Sequence, residues 1–143
     1  MGDLLRKLNY KGYKRIALIN AEEDFKKAFS EELKDIITDF EIDQRCPYEF
    51  MILFVRTLAD VERLAPAALH NLTADGILWF CYPKKTSGKY VAGPERDKGW
   101  KTLNNAGFHG VRMVAVDDDW AAMRFRNIKF IKSASKRFRE NNQ

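Results

Sequence analysis

The chain has 143 residues, of which 45% are hydrophobic and 13% aromatic, and carries a formal charge of +5. That is the size of one ordinary domain with ample material for a core, so residues 1–143 are expected to form a single unit. No apolar stretch at the amino terminus is long enough for a signal peptide or a membrane span, and neither Cys46 nor Cys81 has companion ligands for zinc, so the expectation is a cytoplasmic protein without a metal.

Residues 3–10 carry Leu4, Leu5 and Leu8 at helical spacing and predict a short docking helix, broken at Gly12. The apolar run over 15–21 predicts a strand that leaves through Asn20 into a loop. Residues 22–33 place Phe25, Ala28, Phe29 and Leu33 on one face and Lys26, Lys27 and Glu31 on the other, as an amphipathic helix does. Residues 35–42 fit either a helix end or a short strand, and a strand near the sheet edge is the expectation. Past Cys46-Pro47, the unbroken apolar run over 49–57 predicts a strand buried on both faces.

The stripe Leu58, Val61, Leu64 or Ala65, Ala68, Leu69 and Leu72 predicts a helix capped by Thr57. Pro66 is expected to kink it or to split it in two. Residues 75–83, Asp-Gly-Ile-Leu-Trp-Phe-Cys-Tyr-Pro, join a turn signal, an apolar run and a proline stop. They predict the central strand, with Cys81 an inert buried thiol inside it. A polar loop over 84–97 follows, then a helix carrying Trp100, Leu103, Ala106 and Phe108 that stops near Gly107. Alternating runs at 111–116 and 120–125, around Asp117-Asp118-Asp119, predict a β-hairpin. From about residue 127 to 143 the chain is a basic tail whose only acid is Glu140.

This order of elements is an α/β pattern: a three-layer, Rossmann-like, mostly parallel sheet with helices on both faces, closed by an antiparallel C-terminal hairpin in which only the last strand runs backwards. Residues 49–56, then a helix, then 76–83 resemble the fourth and fifth strands of the class I methyltransferase scaffold, and 111–125 resembles its closing hairpin. The resemblance implies a truncated methyltransferase-like fold. The turn after the first strand departs from it, reading Asn20-Ala21-Glu22-Glu23-Asp24 with no glycine and three carboxylates. Glycine is what lets backbone approach such a cofactor, and the carboxylates repel phosphates or the methionine carboxylate of S-adenosylmethionine. No cofactor is therefore expected. At Gly76, Trp79, Tyr82-Pro83-Lys84, Arg96-Asp97, Trp100, Gly107, Asp117 to Trp120 and Arg124-Phe125-Arg126 the chain also resembles an uncharacterised bacterial family, a domain of unknown function with this reduced layout. That resemblance implies a fold and carries over no activity.

In an open parallel sheet, ligands bind beyond the carboxyl ends of the strands, which places the loop over 84–97 at the site. Lys84, Lys85, Lys89 and Arg96, with Ser87 and Gly88, can cradle a phosphate or carboxylate, although the spacing is not that of a P-loop. Arg96 has a second reading as partner of the acidic turn, and Asp97 reads as a helix cap. Trp120, Arg124 and Arg126 lie two or four apart on one strand and share a face, an aromatic beside guanidiniums that can stack a ring. Lys84, Lys85, Lys89, Arg96, Trp120 and Arg124 are thus the candidate ligand-site residues. His70, and His109 in a turn over 107–110, have no Ser or Cys placed by a motif, and the two acidic runs read as solvated turns, so no catalytic residue is expected. The leading reading is a small non-catalytic binding or interaction domain with an anion site, its partner a small anionic ligand or another protein. Its rivals are a degenerate methyltransferase-like or other transferase enzyme and, less expected, a weak nucleic-acid binder acting through the tail and the lysine loop.

Overall fold

The computed structural model describes residues 2–90 and 100–131. Arg96, Asp97 and the basic tail beyond residue 131 lie outside them. In chain order the elements are α1 (Gly2–Lys7), β1 (Arg15–Ile19), α2 (Glu23–Glu32), β2 (Ile37–Asp39), β3 (Tyr48–Phe54), α3 (Leu58–Asn71), β4 (Leu72–Pro83), α4 (Lys101–Asn105), β5 (Phe108–Ala115) and β6 (Trp120–Asn127). A 3-10 turn over Ile128–Phe130 follows.

The strands form one sheet in the order β2-β1-β3-β4-β6-β5. Pairs β1–β2, β1–β3 and β3–β4 are parallel, while β6 is antiparallel to both β4 and β5. Only β6 runs against the rest, as the sequence implied. Successive side chains of β3 and β4 point to opposite faces, and both sets are apolar because both faces are covered. On one face Leu5 and Leu8 from the α1 region, and Phe29 and Leu33 from the α2 region, pack on Phe50, Ile52, Phe54, Trp79 and Cys81. On the other, Val61, Ala65 and Ala68 of α3 join Trp100 and Leu103 against Met51, Leu53, Leu78, Phe80 and Phe125. The result is the three-layer α/β sandwich expected of a truncated methyltransferase-like fold.

Some details differ from the sequence reading, among them that Leu72, read as part of the helical stripe, opens β4. α3 is one helix across Pro66, so of the two outcomes expected there the split is excluded. The proline is exposed and so is Glu62, one turn earlier, whose carbonyl water can reach once the proline withholds its N–H, while Val61, Ala65 and Ala68 hold the buried face. Phe108 leaves the helix and begins β5, because Gly107 turns the chain at φ +88°, in the left-handed region. His109 is accordingly in a strand, not a turn, and is buried, which pushes its pKa down.

Thr57 caps α3 as expected. Its Oγ1 accepts from the Asp60 N–H at 3.2 Å, and Asp60 Oδ2 in return accepts from the Arg56 N–H at 2.9 Å, an arrangement close to a capping box. Thr57→Ala is expected to lower stability by about 1 kcal/mol, read as a lower urea midpoint at unchanged slope. An unchanged midpoint would show that the cap contributes nothing.

Candidate functional site

From β1 the chain crosses to β2 on one side and then returns to lay β3 on the other. A crevice belongs at that reversal, beyond the carboxyl ends of β1 and β3. Asn20 stands there, one residue past β1, with φ 61°, a left-handed conformation that asparagine accepts more readily than most residues. Its Nδ2 donates to the Phe54 carbonyl at the end of β3 at 2.9 Å. The side chain thus clasps the two strand ends.

The next polar residue, Glu22, closes the crevice further. Its carboxylate accepts from Arg56 Nη2 at 2.5 Å and from the Tyr90 hydroxyl. The Arg56 guanidinium lies 4.9 Å from the Tyr90 ring centroid and 6.0 Å from that of Trp120, within cation–π range. Tyr90 and Trp120 are 5.1 Å apart, and Trp120 meets Phe54 edge-on at 5.0 Å. Glu22 is therefore the half-buried centre of a network rather than a solvated turn acid. Sequence reasoning missed Glu22, Arg56 and Tyr90 as a group, and the one usable signal was that Glu22 and Arg56 both follow strands that lie side by side.

A hollow of about 280 Å³ sits beside this network, lined by Glu22, Asp24, Phe25, Lys89, Asp119 and Trp120 among others. Ser87 Oγ donates to Asp119 Oδ1 at 2.7 Å, and the Lys84 N–H donates to the Asp119 carbonyl at 2.8 Å, which folds the start of the loop back onto the acidic turn. That turn is itself ordered: Asp117 Oδ1 accepts from the N–H groups of Asp119 and Trp120. Of the candidate lysines, Lys89 reaches the hollow, its ammonium 5.2 Å from the Tyr90 ring. Lys85 is exposed, and neither Lys84 nor Lys85 makes an ion pair among the described residues. With Glu22, Asp24, Asp117 and Asp119 around it, the hollow disfavours an anion.

Trp120 and Arg124 do share a face of β6 but not a site. Trp120 is level with Pro83 at one end of β4, and Arg124 is level with Trp79, four residues along. At about 3.3 Å per residue that puts them roughly 13 Å apart along the strand. Arg126 is held by Asp75 through two bonds of 2.7 and 2.6 Å, and this pairing keeps the Asp75 carboxyl below its usual range. Cys81 is buried inside β4 as expected, and burial pushes its thiol far up.

On the far side of β1 a larger cleft of about 440 Å³ opens beyond β1 and β2, against α3. Phe40, Ile42 and Leu64 supply apolar wall, and Glu41, Gln44 and Arg63 supply polar groups. Phe40 is 40% exposed, with Lys26 Nζ 5.2 Å from its ring centroid. A cleft of this size with an exposed ring and a few polar groups is suited to a small molecule. Among the described residues no three His, Cys, Asp or Glu side chains gather as metal ligands would, and no helix is long and apolar enough to cross a membrane.

No protein-family model matches the chain, and no curated protein matches it. Solved structures are similar in fold. Phosphoethanolamine N-methyltransferase 2 of Haemonchus contortus, in complex with phosphomonomethylethanolamine and S-adenosylhomocysteine, superimposes with TM-score 0.54 at 16% identity over 89% of this chain and 38% of its own. N-methyltransferase NodS from Bradyrhizobium japonicum WM9 does so with TM-score 0.52 at 16% identity, over 88% of this chain and 93% of its own. A ribosomal-protein methylase from Lactobacillus delbrueckii subsp. bulgaricus gives TM-score 0.55 at 11% identity, over 87% and 76%. This chain spans about two fifths of the length of the Haemonchus enzymes. At these identities the likeness establishes a methyltransferase-like fold.

Proposed function

We propose that this chain is a degenerate methyltransferase-fold domain, residues 1–143 acting as one unit, that binds a nucleoside in the cleft beyond β1 and β2 and does not transfer a methyl group. The observation that carries this reading is the closure of the crevice by Glu22, Arg56 and Tyr90. A site for S-adenosylmethionine needs open backbone in the turn after the first strand, where glycine admits the ligand's methionine end. Here Asn20 is bonded across to Phe54, and the Glu22 carboxylate, paired with Arg56, fills the turn where the ligand's methionine end would lie. These residues do not fit the whole cofactor, so no transfer step is assigned. They do fit its nucleoside half. Phe40 offers a ring face, Ile42 and Leu64 offer apolar walls, and the Glu41 carboxylate can accept from ribose hydroxyls.

Titration calorimetry with adenosine, S-adenosylhomocysteine and S-adenosylmethionine tests the reading. Adenosine is expected to bind, and the two larger ligands to bind no tighter. Glu41→Gln is expected to weaken adenosine about tenfold, the loss of one hydrogen bond to a charged group. S-adenosylmethionine binding far more tightly than adenosine, with methyl transfer to an acceptor, would restore the enzyme reading. Absence of heat with all three ligands would return the chain to a protein-interaction role.

A further inference from the structure

We propose a second ligand site, an oxyanion site at the opposite, amino edge of the sheet, with Arg124 as its charged ligand. The cavity there has a volume of about 620 Å³. Three parts of the chain build it: Asn9, Lys11 and Tyr13 between α1 and β1; Glu49 and the start of β4 around Asp75; and Arg124 with Arg126 on β6.

Arg124 is the observation that asks for a ligand. Its stem lies level with the fully buried Trp79 on one side and with Arg112 on the other. Its Nε is enclosed and has no hydrogen-bond partner, and the side chain makes no ion pair among the described residues. The half-buried guanidinium keeps the part of its desolvation penalty that falls on that nitrogen uncompensated. Of the two acids that line the cavity, Asp75 has both oxygens taken by Arg126, and Glu49 makes no ion pair with Arg124 among the described residues. Burial first, and then the like charge of Arg126, push the Arg124 pKa down against the opposing pull of Asp75 and Tyr13.

The ligand chemistry follows from the shape of the donor. The two terminal nitrogens of the guanidinium fork match two oxygens of one carboxylate or phosphate. Lys11 and Tyr13 line the same space and supply an ammonium and a hydroxyl. The cavity exceeds a free phosphate ion, so the natural ligand is a small metabolite carrying the oxyanion. This site shares no residue with the nucleoside cleft, and either proposal can fail alone.

The test is thermal unfolding in phosphate, glycerol 3-phosphate, succinate and chloride at matched ionic strength. Phosphate or succinate is expected to raise the parent's midpoint over chloride, the better of the two naming the group, and a larger shift with glycerol 3-phosphate marks an esterified ligand. Arg124→Met keeps the stem over Trp79. It is expected to be more stable than the parent in chloride and blind to the oxyanion, while Arg56→Met, at the far edge, keeps the shift. Arg124→Lys retains charge without the fork and is expected to bind about tenfold more weakly, which decides the matter should the Met variant not fold. No oxyanion shift in the parent, or one that survives in both Arg124 variants, would overturn the proposal.

Discussion

Trp79→Ala is expected to destabilise the protein by about 3–5 kcal/mol, a large part of what holds a domain of this size together. Trp79 is among the largest fully buried side chains and lies at the middle of the central strand. Its ring packs in the same cluster as Leu5 and Leu8, and its Nε1 donates to the Leu8 carbonyl at 2.8 Å. One side chain therefore fastens the amino-terminal segment to the sheet by both area and a buried hydrogen bond. Trp79→Phe separates the two contributions. It keeps most of the volume but leaves the Leu8 carbonyl unpaired, for an expected loss of about 1–3 kcal/mol. Urea unfolding followed by circular dichroism measures both. A loss below about 1 kcal/mol for the Ala variant would mean that α1 is not anchored through Trp79.

Raising the pH above 10 is expected to remove about 2–3 kcal/mol through Tyr48, a pKa shift of about two units expressed as free energy. Tyr48 is fully buried, and its hydroxyl donates to Asp39 Oδ2 at 2.5 Å and accepts from the Asp43 N–H at 3.0 Å. Burial first, and then the bond to Asp39, push its pKa from 10.0 up to about 12. The folded state thus keeps a proton that the unfolded chain gives up at 10. The stabilisation is complete below pH 10 and is lost as the pH rises through about 12. Burial raises the Cys81 thiol and the Tyr13 phenol as well, and both add to alkaline sensitivity in the same direction. Urea midpoints from pH 8 to 11.5 for the parent, Tyr48→Phe and Cys81→Ala will apportion the effect. The parent is expected to be the more stable at pH 8 and to converge on the Phe variant above 10. Parallel curves would show that the Tyr48 proton is not held by the fold.

The same cluster explains why β2 survives as a three-residue edge strand. Arg15 Nε donates to Asp39 at 2.6 Å, so β1, β2 and the start of β3 meet at one carboxylate. Residues 35–42 fit a helix end or a strand in sequence, and the edge strand expected there is β2. Ile36, Ile37, Phe40 and Ile42 suit either element, and polar bonds between residues 24 and 9 positions apart hold the strand.

Legibility in the sequence followed burial. Runs at 49–57 and 75–83 announced β3 and β4 because a strand covered on both faces must be apolar at every position. Val61, Ala65 and Ala68 announced α3 because a helix on a sheet buries one stripe, and Thr57 its start because the first N–H groups need an acceptor. Strand order along the chain, with right-handed crossovers, then led to the three-layer methyltransferase-like layout. The sites were different. Periodicity correctly placed Trp120 and Arg124 on one face, yet the rise of β6 sets them about 13 Å apart and in different cavities. Glu22 meets Arg56 across 34 residues and Tyr90 across 68, and no spacing rule joins them. Periodicity is a property of one element and records which side of it is covered. Which carboxylate meets which guanidinium depends on which strands become neighbours, and that was decided only when the chain crossed back over β1 and laid β3 beside it.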